Sequence, residues 1–448
     1  MRALKPALQF SQGRSFNWSG AELINCFAEK ADGDKRQDFA VMSSPGLTTW
    51  ATVGAGPCRG AIECAGILYV VSAQTLYSVA PDGTSTALGY IDGTGPVSIA
   101  ANYTEVCIAA GGIGYVYSGG ALHNPFPYQV SAVIYADGYM LWVQQDSEQF
   151  FISSLDDALT YDAADVASVE GAPDNIVGVV NSHREIFFPS GRSTEIFYNS
   201  GAANFPFERQ GNAFVERGCL DRDSIVKMDN SVYMVGDDRI VYVFAGYSPQ
   251  RVSTHAIEYY LRDVTYARAF TYSQEGHKFY VVECDRGTFC YDVSTGAWHS
   301  RKSYGSDYWR CNGAVEAYGR LLLTDRNNGR LYVPSMDVND EAGDPIAFEI
   351  VLPTLEYGRE RVTMYSFEVT METGPGNGVV ADPQVALSYS DDGGHRWSNE
   401  MLRPMGKIGE YRARSVWRKL GQFRVRQMKL RITDAVRKMA ISYWAEIE

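Results

Sequence analysis

The chain has 448 residues and a formal net charge of −13, with 45% hydrophobic, 21% charged and 13% aromatic residues. This length predicts two or three domains, and the composition is that of a folded protein. The acidic balance argues against a general nucleic-acid binder. We expect neither export by a signal peptide nor insertion into a bilayer, because the first residues lack an apolar core and no stretch is long and apolar enough to span a membrane.

The eight cysteines do not form a C-x-x-C pair, and they lie in apolar stretches that are typical of strands. They are Cys26, Cys58, Cys64, Cys107, Cys219, Cys284, Cys290 and Cys311. This pattern predicts reduced residues in the core of a protein made in a cytoplasm. A disulfide between Cys284 and Cys290 across a hairpin is the less favoured alternative.

Residues 1–56 form an irregular opening with one short predicted strand, Leu23–Phe27, and a turn at Ser44–Gly46. A segment so poor in regular elements is expected to pack on other parts of the protein. We predict an N-terminal arm and strand that reach the last domain or a neighbouring subunit.

Residues 57–336 contain a repeat in which a hydrophobic strand, a tight turn and a second strand recur. Equivalent positions of the first strand are separated by 34 to 47 residues, and they are Tyr69, Cys107, Leu141, Phe187, Tyr233, Tyr280 and Leu322. Units of this size predict a β-propeller with four strands a blade, because ring closure protects the sheet edges. The spacing leaves six or seven blades open, and a chain of β-sandwiches is the competing architecture.

Residues 337–345 are acidic and end in proline, which predicts a linker. Residues 346–448 then form a C-terminal antiparallel β-sandwich-like domain. Its predicted strands include Val385–Tyr389, Tyr411–Leu420, Phe423–Thr433 and Met439–Ile447, where apolar and polar residues alternate. In Phe423–Thr433 the alternation slips near Gln427, as a β-bulge would produce. The whole chain is therefore predicted to be all-β.

Charge is distributed unevenly along the chain. From His395 to the end there are 13 Lys and Arg against 5 Asp and Glu, so the first 394 residues carry a net charge of −21. This split favours contacts between unlike-charged surfaces of subunits or partners. The interface candidates are Arg412, Arg414, Arg418, Arg424 and Arg426; the alternative is a solvated outer face.

The sequence contains only weak matches to the motifs of catalytic, cofactor-binding or metal-binding sites. Ser390, Asp392, Gly394 and Trp397 approximate the Asp-box pattern of glycan-active propellers, in which these residues stabilise a hairpin turn. The acids Asp221, Asp223, Asp237 and Asp238 lie at predicted turns, where carboxylates usually bond backbone amides. The six histidines lack metal-ligand spacing. We therefore predict no catalytic, cofactor-binding or metal-binding residues and no enzyme activity. A glycan-binding or glycan-hydrolysing propeller is the alternative, and a propeller scaffold for cellular proteins is a third possibility.

Three segments resemble the tail hub or nozzle proteins, also called packaged-DNA stabilization proteins, of short-tailed bacteriophages. They are LINCFAEKADGDKRQDFAVMSSPGL (Leu23–Leu47), GPCRGAIECAGILYVVSAQTLYSV (Gly56–Val79) and the run from SYSDDGGHRWSNE through GKIGEYRARSVWRKLG to RITD (Ser388–Asp434).

The resemblance implies a homohexameric ring below the portal–adaptor complex of a virion, assembled in the host cytoplasm. Such a ring retains packaged DNA and docks tail fibres, spikes or a needle. We expect DNA to pass through its axial channel without sequence-specific binding, helped by an acidic lining that repels the phosphate backbone. No cofactor is implied.

Overall fold

The computed structural model describes residues 1–15, 18–31, 38–203, 205–211, 213–358 and 360–448. Within these ranges the protein is almost entirely β, as predicted. The N-terminal segment contains β1 (Arg2–Ala3), β2 (Glu22–Ile24), β3 (Cys26–Lys30), β4 (Phe39–Ser43) and β5 (Gly46–Thr52). No helix in the described ranges is long and apolar enough to cross a membrane.

Seven antiparallel blades of four strands follow; five are separate sheets, and the last two are parts of larger sheets. Blade one has β6 (Cys58–Cys64), β7 (Ile67–Ser72), β8 (Thr75–Val79) and β9 (Ser85–Tyr90). Blade two has β10 (Ser98–Ala101), β11 (Val106–Ala110), β12 (Ile113–Ser118) and β13 (Ala121–His123). Blade three has β14 (Val130–Ala136), β15 (Tyr139–Gln144), β16 (Gln149–Ile152) and β17 (Val166–Ser168). Blade four has β18 (Val180–Ser182), β19 (Glu185–Pro189), β20 (Thr194–Asn199) and β21 (Phe207–Arg209).

Two short helical elements flank blade five, and neither was predicted. A 3-10 helix covers Arg222–Ser224 and α1 covers His255–Leu261. Blade five has β22 (Val226–Met228), β23 (Ser231–Val235), β24 (Val241–Ala245) and β25 (Ser248–Arg251). Blade six has β26 (Ala267–Gln274), β27 (His277–Cys284), β28 (Gly287–Asp292) and β29 (Ala297–Arg301). Blade seven has β30 (Cys311–Ala317), β31 (Arg320–Asp325) and β32 (Arg330–Ser335), and β5 is its fourth strand.

The blades close into a ring. The first strand of each blade contacts the first strand of the next, and β30 contacts β6 to complete the circle. The seven positions that define the sequence repeat all lie on the second strand of a blade, from Tyr69 on β7 to Leu322 on β31. The sequence does not decide between six and seven blades, and the structure has seven.

The N-terminal strand β5 completes blade seven by pairing antiparallel with β32, from Thr52 opposite Arg330 to Gly46 opposite Ser335. The sequence pattern predicts that these residues belong to the N-terminal arm, outside the propeller at residues 57–336. Pairing between strands almost three hundred residues apart leaves no local pattern in the sequence. Such a strand stabilises the closed ring of a propeller because it connects the last blade to the first.

The rest of the chain contains a hairpin that belongs to the sheet of blade seven, followed by the sandwich strands. The hairpin strands are β33 (Asp340–Glu341) and β34 (Asp344–Pro345). The sandwich strands are β35 (Phe348–Val351), β36 (Leu355–Glu356), β37 (Val362–Met371), β38 (Gln384–Ser390), β39 (Met401–Pro404), β40 (Ser415–Arg418), β41 (Gln422–Phe423), β42 (Val425–Ile432) and β43 (Met439–Ile447). One sheet has the order β3-β4-β43-β37-β40, and the other has the order β2-β35-β42-β38-β39. Their inner faces form one core that includes Phe367, Trp417, Leu430 and Tyr443.

The N-terminal segment belongs to this sandwich. Strands β1, β3 and β4 extend one sheet, and β2 extends the other. Leu4, Leu23, Cys26 and Val41 are buried in the sandwich core. Strand β2 also pairs with β29, which fixes the sandwich to the outer edge of blade six.

Two details of the predicted C-terminal half differ from the structure. The segment 337–345, predicted as a linker, contains the hairpin β33–β34, and Glu341 of β33 pairs with Leu47 of β5. The predicted strand Tyr411–Leu420 is reduced to β40, because Gly406 and Gly409 adopt positive φ in the preceding loop. The predicted strands also separate, since β38 and β42 lie in one sheet whereas β40 and β43 lie in the other.

All eight cysteines are buried free thiols, as predicted.

Candidate assembly surface

The predicted arginine row is only partly a surface. Four of its members are exposed, and they are Arg412, Arg414, Arg418 and Arg424. Arg414 is held by Glu368 of β37, whose carboxylate oxygens lie 2.8 Å from Nε and 2.5 Å from Nη2. The hydrogen bonds from Arg414 lower the pKa of Glu368 below its ordinary value. Arg414 therefore already binds a carboxylate in the two-bond contact that a guanidinium group favours.

Arg426 lies inside the sandwich rather than on this surface. Its residue exposure is 1%. The guanidinium pairs with Asp391 and donates to the carbonyl of Leu420 at 2.7 Å. Its Cζ lies 4.1 Å from the ring centre of Tyr389 and 4.5 Å from that of Phe423. A side chain enclosed in this way stabilises the domain, and, unlike the other four predicted arginines, Arg426 does not lie on the surface of the subunit.

Strand β40, which carries Arg418, is an edge strand that is already covered. It pairs only with β37 within its sheet. On the other side, Arg403 donates to the carbonyl of Val416 at 2.9 Å, and the indole of Trp417 donates to that of Met401 at 2.6 Å. These bonds join the edges of the two sheets. Because the edge is blocked, a partner at this surface would bind side chains rather than add a strand.

Next to the arginines lies an exposed apolar patch that the sequence reasoning missed. Val379, Ile408 and Tyr411 are 90%, 74% and 74% exposed, and we call these three residues the sandwich tip. They lie on the loops 373–383 and 405–413. An apolar group held out into solvent on a folded loop marks a contact surface.

The two loops of the sandwich tip are fixed to each other and to the domain. The hydroxyl of Thr373 donates to the carbonyl of Tyr411 at 2.9 Å, and the amide of Gly374 donates to that of Met405 at 3.2 Å. The side chain of Asn377 donates to the carbonyl of Ala435 at 2.9 Å. The composition of residues 373–383, TGPGNGVVADP, predicts a mobile loop, because the bonds that fix it come from distant residues and leave no local signal in the sequence.

The Asp-box pattern has the structural role that the sequence suggested. The hydroxyl of Ser390 lies 2.8 Å from Oδ1 of Asp392, and that same oxygen accepts the amide of Arg396 at 2.9 Å. These bonds lower the pKa of Asp392. The ring of Trp397 lies 4.5 Å from Nζ of Lys429. The motif therefore closes the hairpin between β38 and β39.

The carboxylates at propeller turns are also used by the fold. Asp221 accepts the amides of Asp223 and Ala267 at 3.0 and 3.2 Å. Asp238 accepts the amide of Ile240 at 3.1 Å, and Asp237 that of Gly218 at 3.2 Å. Across the described ranges, no group of three or more His, Cys, Asp or Glu is placed to hold a metal ion. Asp221, Asp237 and Asp238 therefore accept hydrogen bonds from backbone amides, as their turn positions predict.

Comparison with protein families assigns nearly the whole chain. A family model described as "Bacteriophage P22 Gp10, beta-propeller" matches residues 10–339. A second, described as "Bacteriophage P22 Gp10, beta-sandwich", matches residues 347–448. No curated protein sequence matches the chain.

Solved structures show distant similarity. The extracellular domain of the putative hybrid two component system BT4673 from B. thetaiotaomicron is 10% identical with a TM-score of 0.46, over 64% of this chain and 39% of that one. The WD40 beta propeller domain of Doa1 is 10% identical with a TM-score of 0.43, over 64% of this chain and 97% of that one. Raptor from Chaetomium thermophilum is 10% identical with a TM-score of 0.44, over 67% and 30%. The chain thus spans well under half the length of the first and third of these proteins.

Proposed function

The chain belongs to the bacteriophage P22 Gp10 family of phage tail proteins that stabilise packaged DNA, and from this premise we propose that it forms a homohexameric tail hub, or nozzle, below the portal–adaptor complex. The observation that carries the proposal is the family match, which covers both the propeller and the sandwich. In this role the ring retains the packaged genome and provides docking sites for tail fibres, spikes or a needle. It is a component of the virion tail, assembled in the host cytoplasm.

The shape of the subunit supports a ring. The sandwich is attached through β2 to blade six and lies beside the hairpin on blade seven, so it stands on one side of the propeller. A subunit of this form has different surfaces at its two ends. Head-to-tail contacts between unlike surfaces generate closed rings when the rotation between neighbours closes.

The charge distribution supports the same arrangement. The 54 C-terminal residues contain 13 basic and 5 acidic residues, whereas the preceding 394 carry a net charge of −21. In a ring, the exposed arginines and the sandwich tip would contact the acidic body of a neighbouring subunit or partner. Acidic surfaces facing the axis would let DNA pass without binding it.

Mass photometry of the purified full-length chain tests the proposal. We expect a species of six times 49.6 kDa, either alone or after addition of the portal–adaptor complex. Electron microscopy of the same sample should then show a ring with an open axis. A chain that remains at 49.6 kDa under both conditions contradicts the proposal.

A further inference from the structure

The centre of the propeller contains a cavity of about 480 Å³ whose wall is unusually basic. First strands from blades one, two, five, six and seven contribute to the wall. Its charged residues are Arg59, Asp223, Lys227, Arg268, Glu283 and Arg326. The four cations and two carboxylates give the wall a net positive charge, whereas the chain as a whole carries a net charge of −13. The local excess of positive charge therefore needs its own explanation.

Glu283 can neutralise only one of the two cations next to it, Arg326 and Arg268. This residue is 5% exposed, and its Oε1 lies 3.0 Å from Nη2 of Arg326 and 3.4 Å from the hydroxyl of Tyr266. Arg268 stands directly opposite Glu283 in the pairing of β26 with β27. Burial raises the pKa of Glu283, and the charges of Arg326 and Arg268 oppose that rise. One carboxylate between two guanidinium groups leaves one positive charge without a counterion.

Arg326 has a donor that protein atoms do not satisfy. Its Nη1 is buried and has no hydrogen-bond partner among the atoms that the structure describes. The guanidinium is held in place, since its Cζ lies 4.4 Å from the ring centre of Tyr308 and Nη2 is bound to Glu283. Buried guanidinium donors in proteins almost always have an acceptor. This donor therefore leaves the charge of Arg326 only partly compensated, while the exposed part of its side chain, 22%, faces the cavity.

The remaining charged groups add to the positive potential. Arg59 is 7% exposed and donates only to backbone carbonyls, including those of Gly95 at 2.6 Å and Asp92 at 2.7 Å. Lys227 is exposed on β22, and within the described residues its ammonium has no ion pair. Asp223 is already bonded to Arg222, at 3.0 Å. The cations therefore outnumber the carboxylates that are available to them.

We propose that this cavity binds one compact tetrahedral oxyanion, of the phosphate or sulfate class, through Arg268, Arg326 and Lys227. Such an anion accepts several charge-assisted hydrogen bonds at once, and guanidinium groups match its geometry. Because the three residues come from blades five, six and seven, the anion would join three blades at the centre of the ring. The site is separate from the sandwich surface and does not depend on ring formation.

Calorimetric titration of the full chain with sodium phosphate tests this, in a buffer of constant ionic strength balanced with chloride. We expect saturable binding with one site per chain, and competition by sulfate. Arg326→Gln and Arg268→Gln should each weaken the affinity about tenfold or more, the effect of losing one charge-assisted contact. Arg320→Gln, at an exposed arginine of blade seven outside the cavity, is the control and should bind as the native chain does.

Absence of saturable phosphate binding by the native chain overturns the proposal, as does native affinity in Arg268→Gln. Circular dichroism of each variant verifies folding before titration. If Arg326→Gln does not fold, Arg268→Gln still decides the question, because Arg268 is exposed to the cavity and its loss leaves no core void. General stabilisation by phosphate salts affects native and variant chains equally, so only the difference between them counts.

Discussion

Arg426 and Asp391 form a two-bond ion pair in which the cation is buried and the anion is not. Nε lies 2.6 Å from Oδ1, and Nη2 lies 2.8 Å from Oδ2. The side chain of Arg426 is 1% exposed, whereas that of Asp391 is 40% exposed. The pair joins β42 to the turn after β38. Because water reaches only one partner, we expect substitution of the two residues to reduce the stability of the protein by different amounts.

We predict that Asp391→Ala costs more stability than Arg426→Met. Loss of Asp391 leaves a buried guanidinium without its counterion, which typically costs about 3–5 kcal/mol. Loss of Arg426 leaves a carboxylate that solvent can hydrate, and Met fills much of the space between Tyr389 and Phe423, so we expect about 1–2 kcal/mol. Urea denaturation of the two variants, followed by tryptophan fluorescence, measures both values.

Asp382→Ala, at an exposed aspartate of the same domain, should behave as the native chain does. Equal losses for the two variants of the pair would show that the burial asymmetry has no energetic consequence. A larger loss for Arg426→Met would show that packing against the two rings outweighs the ion pair.

Gly46 is predicted to be intolerant of any side chain. A Cβ at this position would lie 2.3 Å from the carbonyl oxygen of Val338 and 2.6 Å from that of Asp340. Both are backbone atoms, so relief requires displacement of the hairpin β33–β34. We expect Gly46→Ala to cost about 1–3 kcal/mol and to expose residues 337–345 to limited proteolysis. Gly211→Ala is the matched control, because a Cβ there meets nothing within 4 Å. Protection of 337–345 in Gly46→Ala would contradict this account.

The sequence predicted elements whose pattern is local. Strand β43 has the predicted bounds Met439–Ile447, and the predicted alternation holds in its second half, where Tyr443, Ala445 and Ile447 are buried. The seven repeat positions located one strand in every blade for the same reason. The β5 pairing and the tip loops depend on contacts between distant residues, and no local periodicity reports them.

Arg426 shows why the surface was predicted only in part. The alternating pattern places Arg426 on the same side as Arg424. Nothing in the sequence indicates that the carboxylate of Asp391, from another hairpin, pairs with it. The sequence pattern predicts a slip in the alternation near Gln427, and within β42 Arg426, Gln427 and Met428 are all buried, which places Arg426 inside the domain. The partner Asp391 lies 35 residues earlier, a contact that only the folded chain reveals.

Lys438 should make stability depend on pH. It is 2% exposed, and its Nζ donates to the carbonyl of Ile346 at 3.0 Å. Burial lowers its pKa from the ordinary 10.5 to about 8 in the folded protein. Between those two values the unfolded chain binds more protons than the folded one, so the contribution of this residue to stability rises with pH. Below about pH 8 the full cost of burying the charge is present.

Lys438→Met removes that cost. We expect the variant to gain stability relative to the native chain at pH 7, and the gain to shrink as pH rises from 8 to 10.5. The change across this window is about 3 kcal/mol at most, from 1.36 kcal/mol for each pKa unit. Urea midpoints of both proteins at several pH values measure it, with Lys407→Met as the exposed control. A difference between Lys438→Met and the native chain that is constant with pH would refute the assignment.

The exposed arginines should matter for assembly and not for folding. Arg412 and Arg418 are exposed and, in the described part of the chain, form no hydrogen bond or ion pair, whereas Arg414 is already bound to Glu368. We therefore expect Arg412→Glu with Arg418→Glu to reduce the fraction of rings in mass photometry and to leave the thermal midpoint unchanged. Opposing charge at a contact between unlike surfaces is destabilising, and surface charges contribute little to the fold.

The matched control is Arg320→Glu with Arg330→Glu, which makes the same change in net charge at two exposed arginines of blade seven. If both pairs of reversals weaken the ring equally, the effect is one of total charge and the arginine row has no specific role. If neither does, the row is a solvated face. Loss of rings in the first pair alone assigns the contact to the sandwich surface, and added salt should then weaken native rings in the same direction, because screening acts on exposed charges.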